Sequence, residues 1–581
     1  MSATTMPSPI LRLDSVTELP ERALVGGKAW SIARLAARGL PVPPAFVIPT
    51  WACRYYREHG DMEPGLEEAI RQEFRWLAGK TGRGPDGESP LLVSVRSGAP
   101  ISMPGMMDTV LNLGMGRIAA QKLAREFDES FARDTLRRFL EMYVATVLRR
   151  SGPSLDPGGS VDDWYDALAA RGLVVPEDPL EQLVAATRAV FESWDSRRAR
   201  RYRSSRGISD DLGTAVTVQA MVFGNRDEHS GTGVLFSRDP RTGERDPYGQ
   251  YLPRAQGEDV VSGRVDPLPL AALQESMPEV HDQLAEIARR LEREDRDVQD
   301  IEFTVESGRL YILQTRTAAR APQAAVRFAV DLVEEEILTR AEALRRVTAE
   351  QARMLLRPRI QGEPGEVIAR GEPASSGVGA GLAVGDSDEA ERLAAEGHAV
   401  VLVRETTSPE DIHGVIAANA VVTAVGGGTS HAAVVSRQLG VPCVVGCGIE
   451  DARTLLGREI TVDGSAGTVH HGVAEVVAAR EDDDRCITKL LEWAAEASPL
   501  QVRRPHEPAD VEVLHLDAVE GGSDVQRLPE LVAGVKAVRG RVLESPEGLR
   551  AVLDTGVRHV VVEHALPAHL EAIDWHAKEA R

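Results

Sequence analysis

Only four cysteines occur in the 581 residues, Cys53, Cys443, Cys447 and Cys486, and no pair has the spacing of a zinc site. Cys443 and Cys447 flank a Val-Val-Gly run and read as buried strand thiols rather than a redox pair. Long apolar runs are missing too. None approaches the roughly 20 residues that span a bilayer, and residues 1–12 lack the apolar core of a signal peptide. Basic residues are outnumbered, 67 Lys and Arg against 89 Asp and Glu, for a net charge of −22. That balance argues against nucleic acid or an anionic membrane as a general partner. Together these absences describe a reduced, soluble, cytoplasmic protein. In so acidic a chain a bound nucleotide must find its cations locally, so single Arg and Lys residues near glycine turns carry information. The length exceeds one hydrophobic core and predicts three or four domains. A hydrophobic content of 43% is ordinary for globular domains.

What is present centres on Gly426-Gly427-Gly428-Thr429-Ser430-His431, followed by Ala432-Ala433-Val434-Val435. Residues 420–425 read as a buried strand, and the run after the glycines reads as a helix. A strand, a glycine turn and a helix start form an anion site, because free N–H groups and the positive end of the helix dipole point outward. Thr429 or Ser430 can cap the helix. His431 then lies in its first turn, with the glycines keeping the approach to its ring open. This pattern fits a histidine that carries a phosphoryl group between two substrates. The alternative is a satisfied histidine beside a tight turn.

The first half holds scattered phosphate-binding signals. Gly26-Gly27-Lys28 opens a helical pattern and offers backbone donors and one cation, without Walker spacing. Residues 91–96 alternate into a strand that puts Arg96 at its end, facing a loop. That loop, 102–109, holds three methionines, a proline and a glycine, and reads either as a lid or as a partly buried connection. Residues 117–150 and 179–203 are helical with solvated charged faces. Residues 215–225 and 230–240 read as two strands forming a sheet floor, followed by a turn at 255–263. The most informative stretch is a hairpin, 299–304 and 310–316. Asp300 and Glu302 alternate with Ile301 and Phe303 and so share one face, as do Gln314 and Arg316. Two carboxylates beside an amide and a guanidinium suit Mg²⁺ and a phosphate clamp. A plain exposed hairpin face is the alternative. Residues 321–356 read as two or three helices, either plain packing or a hinge. Further strands are predicted near 399–403, 441–446 and 459–462, with a turn rich in small residues at 371–381.

The His431 stretch closely resembles the phosphohistidine motif of pyruvate phosphate dikinase and its relatives, and residues 20–345 resemble the ATP-grasp domain of that enzyme in order and spacing. The Ser-Met-Pro-Gly-Met-Met-Asp-Thr loop at 102–109 resembles the dikinase rather than phosphoenolpyruvate synthase or rifampicin phosphotransferase. The resemblance implies an α/β multidomain fold. It comprises an ATP-grasp nucleotide-binding domain at 1–345 with a helical subdomain at about 115–205, and a linker at 346–360. A swivelling phosphohistidine domain follows at 361–480, then a short α/β tail at 481–581. It implies that Lys28 and Arg96 contact phosphates and that Glu302 and Gln314 hold Mg²⁺. Asp300 belongs to the nucleotide site and Arg316 supports phosphoryl transfer, with Arg96, Arg316 and His431 as the catalytic group. Arg404 and the segment 406–411 are expected near His431. Two departures stand out. Gly428 replaces a bulky residue, often Met, and Gln250 replaces an acidic one. In plant members the threonine corresponding to Thr429 is phosphorylated as an off-switch.

The family continues into a (β/α)₈ barrel that binds pyruvate or phosphoenolpyruvate and needs roughly 250 residues. Here residues 490–503 look like the entry to that barrel, and no trace of its catalytic cysteine or substrate arginines follows. Strands near 511–516 and 557–562 with a helix at 545–553 suggest a small α/β cap or docking module. The implied chemistry is transfer from ATP, with inorganic phosphate and Mg²⁺, onto His431, releasing AMP and pyrophosphate. The final acceptor is pyruvate or another group held by a separate protein. A nucleotide-binding regulatory relic is the alternative, and homodimerisation, common in the family, is left open.

Overall fold

The structure is a computed structural model. It describes the chain apart from residues 1–9, 15–17, 85–86, 102, 104–105, 258–265, 357, 361–364, 440, 475, 479, 508–510, 523 and 580–581. The chain is a mixed α/β multidomain protein. Among the described residues, no helix is long and apolar enough to cross a membrane.

Two antiparallel five-stranded sheets make up the N-terminal half, where the resemblance places nucleotide binding. In the first, the order is Leu11–Arg12, Ala45–Ile48, Ala215–Ala220, Val93–Gly98 and Thr109–Leu113. In the second it is Arg309–Thr317, Gln299–Glu306, Gly231–Phe236, Tyr248–Pro253 and Leu268–Pro269. The strands expected to form one floor therefore separate. Ala215–Ala220 pairs with Ala45–Ile48 and Val93–Gly98, whereas Gly231–Phe236 pairs with the hairpin. The predicted turn at 255–263 lies mostly outside the described residues. The hairpin itself closes through Ser307 (φ 48°) and Gly308 (φ 76°), two consecutive left-handed residues, which is the turn that matches strand twist. Its apolar face, Ile301, Phe303 and Ile312, is fully buried against the helix Pro278–Asp295 through Leu284, Ala288 and Leu291.

The helices Glu129–Thr146 and Pro179–Ser193 bury Phe139, Leu140, Val190 and Phe191 in the core that also takes Val93 and Val218. Residues 321–356, expected to be helical, form three helices, Pro322–Glu334, Arg340–Leu344 and Ala349–Leu355, the last two started by capping boxes at Thr339 and Thr348. They share a core with the tail helices Arg485–Ala497 and Ala565–Glu579, built on Val330, Leu344, Leu490, Trp493, Leu566 and Leu570.

The His431 unit is an eight-stranded sheet with a parallel centre, Val378–Val384, Val400–Arg404, Ala420–Thr423 and Cys443–Val445. The turn expected at 371–381 is instead two strands, Glu372–Ser375 and Val378–Val384. Its small residues serve close packing: a Cβ on Gly379 would lie 2.1 Å from the Asn419 carbonyl oxygen. The tail carries a parallel four-stranded sheet, ordered Gln501–Arg503, His559–Val561, Ala537–Arg539 and Val513–His515, with the helix Pro546–Leu553 against it. Leu516, Leu549, Val560 and Ala572 form its own core.

Candidate active site

Lys28 reaches Arg96, Glu302 and Arg316 because its helix runs in close contact with a strand end. Gly26 has φ 76°, and a Cβ there would lie 1.9 Å from the Gly98 carbonyl oxygen. Gly27 N donates to Ala99 O at 2.9 Å. The first two glycines of Gly-Gly-Lys thus dock the helix Arg22–Ala37 onto the strand that bears Arg96. Burial pushes the Lys28 ammonium down to about 7, aided by Arg96 and Arg316 and opposed by Glu302. Arg96 lies inside the strand Val93–Gly98, opposite Thr109 and Thr217, rather than at its end.

The hairpin brings the other groups from the second sheet. Glu302 is paired across the strands with Gln314, and Asp300 with Arg316, beyond a bulge between Ile312 and Gln314. Arg96 Nη2 donates to Gln314 Oε1 at 3.0 Å and lies 3.6 Å from Glu302 Oε2. Arg316 Nε donates to Asp300 Oδ2 at 2.7 Å. Asp300, only 2% exposed, holds the Arg316 guanidinium well above its ordinary range. That burial excludes a plain solvated hairpin face. Lys28, Arg96, Asp300, Glu302, Gln314 and Arg316 therefore form one cluster drawn from a helix start and two sheets. Its oxygen donors fit a hard divalent cation: Glu302 and Gln314 are cross-strand neighbours, and Asp300 Oδ1 is buried without a hydrogen-bond partner.

In the loop after Arg96, Ser102, Pro104 and Gly105 lie outside the described residues. Met103 and Met106 are buried in the main core and Asp108 pairs with Arg198, so this part is an anchored connection.

Ala420–Thr423 is buried, and the helix His431–Leu439 follows the glycines. Ser430 Oγ accepts from Ala433 N at 3.4 Å, which makes Ser430 rather than Thr429 the capping hydroxyl. The Arg404–Asp411 segment does lie beside the ring: Thr407 Oγ1 is 3.3 Å from His431 Nδ1. His431 Nε2 is buried without a hydrogen-bond partner. Burial lowers the imidazole below its ordinary range, opposed by Asp411, so the ring is a neutral base at neutral pH.

The glycines make room for a neighbour more than for an open approach. Thr429 Oγ1 donates to Gln250 Oε1, on the second sheet of the nucleotide half. Gly428 N donates to Glu372 Oε2 at 3.0 Å. Glu372 also accepts from Tyr248 Oη and, at 3.0 Å, from Arg241 Nη1. A Cβ on Gly427 would lie 2.3 Å from Gln250 Nε2. One on Gly428 would lie 2.5 Å from Tyr248 Oη and 2.7 Å from Glu372 Oε1. The two departures noted in the sequence, Gly428 and Gln250, thus belong to one seam. Arg437, on the same helix as His431, steadies the loop from behind by donating to Gly428 O at 2.7 Å and Ala374 O at 2.9 Å.

Two family models match the chain. One is the AMP/ATP-binding domain of pyruvate phosphate dikinase, at residues 58–278, and the other the mobile domain of PEP-utilising enzymes, at 397–467. The chain is 40% identical over 545 residues to pyruvate, phosphate dikinase from Clostridium symbiosum, covering 87% of this chain and 62% of that protein. It is 40% identical over 553 residues to the Rhizobium meliloti (strain 1021) enzyme, covering 86% and 61%. Against pyruvate, phosphate dikinase 2 of Oryza sativa subsp. japonica it is 40% identical over 538 residues, covering 86% and 60%. The chain is similar to the pyruvate phosphate dikinases over most of its length. It spans about 60% of the length of these relatives. Arg96 falls in the match to the AMP/ATP-binding domain and His431 in the mobile-domain match, while Lys28 and the hairpin lie outside both.

Sequence reasoning passed over Tyr248, Arg241 and Glu372. The only local signal was the run of glycines without a Cβ, which calls for a close neighbour but cannot name one. Cys443 and Cys447 are buried free thiols, in and just beyond a strand of the His431 unit.

Proposed function

We propose that this chain is a dikinase-type phosphotransferase that uses ATP and inorganic phosphate to phosphorylate its own His431. The observation that carries the reading is an imidazole with an unpartnered Nε2, at the helix start that follows a loop hydrogen-bonded to the same sheet that bears Asp300, Glu302, Gln314 and Arg316. Lys28, Arg96 and Arg316 bind the phosphate chain and offset the charge that develops on it. Glu302 and Gln314 would hold Mg²⁺, which neutralises phosphate charge. Thr407 orients the ring through Nδ1, leaving Nε2 to form the new N–P bond with the β-phosphorus of ATP as AMP departs. The γ-phosphoryl passes to orthophosphate as pyrophosphate, so the β-phosphoryl alone stays on His431.

The carrier would then deliver that group to pyruvate, giving phosphoenolpyruvate, or to an acceptor held by a separate protein. The relatives' names support pyruvate, and delivery calls for bodily movement of the His431 unit.

The test uses ATP labelled at the β-phosphate, with Mg²⁺ and orthophosphate, on wild type and His431→Asn. Acid-labile label on wild type alone is the expected result. ATP binding with no label on either protein refutes the enzyme reading and leaves a nucleotide-binding regulator.

A further inference from the structure

We propose that a second phosphate-class anion site, for free orthophosphate or pyrophosphate, lies in the cavity where the nucleotide half, the linker helices and the His431 unit meet. The cavity has a volume of about 760 Å³. Among the described residues its charged lining is Arg206, Arg320, Arg346, Arg437 and Asp297, four guanidiniums against one carboxylate. Among the described residues its lining includes none of Lys28, Arg96, Glu302, Gln314 or Arg316. It is therefore separate from the nucleotide cluster, although Thr317, next to Arg316, is on its wall.

Asp297 is already shared. Arg320 Nη1 donates to its Oδ1 at 2.7 Å, and Arg346 Nη1 lies 2.9 Å from its Oδ2. Among the described residues neither of the other two guanidiniums is ion-paired with a carboxylate, and the Asp300 charge acts on Arg437 only through space. Arg206 is exposed at the end of its helix. Arg437 is the opposite case, only 3% exposed. Its terminal nitrogens bond two backbone carbonyls, and its Nε is buried without a partner. Burying a guanidinium with neutral acceptors alone is costly, and an anion beside it offsets that cost. Planar guanidinium forks match tetrahedral oxyanions in pairs. Exposed Thr317 and Arg206 at the rim leave a small anion a way in.

An anion held here touches three parts of the protein at once. Arg437 belongs to the helix that carries His431, Arg320 follows the hairpin, and Arg346 is in the linker. Occupancy therefore favours the docked arrangement of the His431 unit, by contacts that exist only when the parts are together. This inference does not require phosphoryl transfer to occur.

The experiment is calorimetric titration of the full chain with orthophosphate and with pyrophosphate, alone and with a saturating non-hydrolysable ATP analogue. Variants are Arg206→Ala, Arg320→Ala and the double variant; Arg437 is left intact because it holds the His431 loop. Saturable binding that persists with the nucleotide analogue and weakens at least about tenfold in each single variant is expected. In parallel, amide hydrogen exchange across 427–437 should slow when the anion is added to wild type. Absence of saturable binding by either anion overturns the proposal. So does binding that the nucleotide analogue abolishes, or that the variants leave unchanged while Lys28→Ala removes it.

Discussion

Gly428→Ala is the sharpest perturbation of the seam between the His431 loop and the nucleotide half. Gly428 does not use a positive φ, so alanine brings no backbone strain and its effect is steric. The new methyl would sit 2.5 Å from Tyr248 Oη and 2.7 Å from Glu372 Oε1. The Tyr248 ring cannot easily retreat, because the Arg241 guanidinium stacks on it at 4.2 Å and Glu372 binds its hydroxyl. Overpacking of this kind costs about 1–3 kcal/mol, which shifts the docking equilibrium by about 5–150-fold. The primary assay is hydrogen exchange at residue 428, whose N–H is protected by Glu372; exchange there should quicken while the nucleotide sheets are unaffected. Single-turnover labelling of His431 from β-labelled ATP should slow by a similar factor. Tyr248→Phe supplies the internal control. It removes the nearer of the two clashing oxygens, leaves Tyr248 Cζ 3.4 Å away and frees Glu372 from the tyrosine hydroxyl, so the double variant should recover part of the loss as a coupling energy. Wild-type exchange and labelling in Gly428→Ala, or strict additivity with Tyr248→Phe, would refute the steric argument.

Lys28, held down at about 7, binds fewer protons folded than unfolded between about pH 7 and its ordinary 10.5. Its penalty is thus fully present below pH 7, and stability of the nucleotide-free protein should gain from rising pH across that window, a slope that Lys28→Met removes in denaturant titrations. A polyphosphate restores the charge, so ATP binding at pH 8 should take up a proton, seen as a buffer-dependent binding enthalpy and lost in Lys28→Met. Burial lowers the His431 imidazole, so the fall of labelling towards acid pH should be centred below 6.5; a decline centred at 6.5 or above refutes the neutral buried ring. Glu302→Ala should cut labelling by about 10²–10³-fold and weaken its Mg²⁺ dependence, whereas unchanged Mg²⁺ titration would remove Glu302 from the cation site. Leu566→Ala should cost about 2–5 kcal/mol and lower the unfolding midpoint of the linker and tail together; separate transitions would contradict their shared core.

Local chemistry was legible where the governing interactions are short in sequence. The 299–316 hairpin could be read because alternation assigns faces residue by residue and Ser307-Gly308 can take the left-handed turn. The strand, glycine turn and helix around His431 could be read because capping and helix polarity act within a few residues. The small residues at 371–381 misled the reading, since Gly379 looks like a turn former until the neighbouring strand is known to pass within contact of it.

By itself, then, the sequence determined the 299–316 hairpin, the shared face of Asp300 and Glu302, and a strand–turn–helix with a histidine at the helix start. The tertiary structure alone decided that the strands 215–220 and 231–236 enter different sheets, and that Arg96 crosses from one sheet to meet Gln314 on the other. It alone joined Gly428 to Tyr248 and Glu372, packed the linker against the tail, and gathered Arg206, Arg320, Arg346 and Arg437 around one cavity. The reason is physical. Hydrogen-bond periodicity and capping act over a few residues and leave a pattern in the chain. Strand pairing and burial of charge join residues hundreds of positions apart, and their energy depends on desolvation that exists only once the parts have packed.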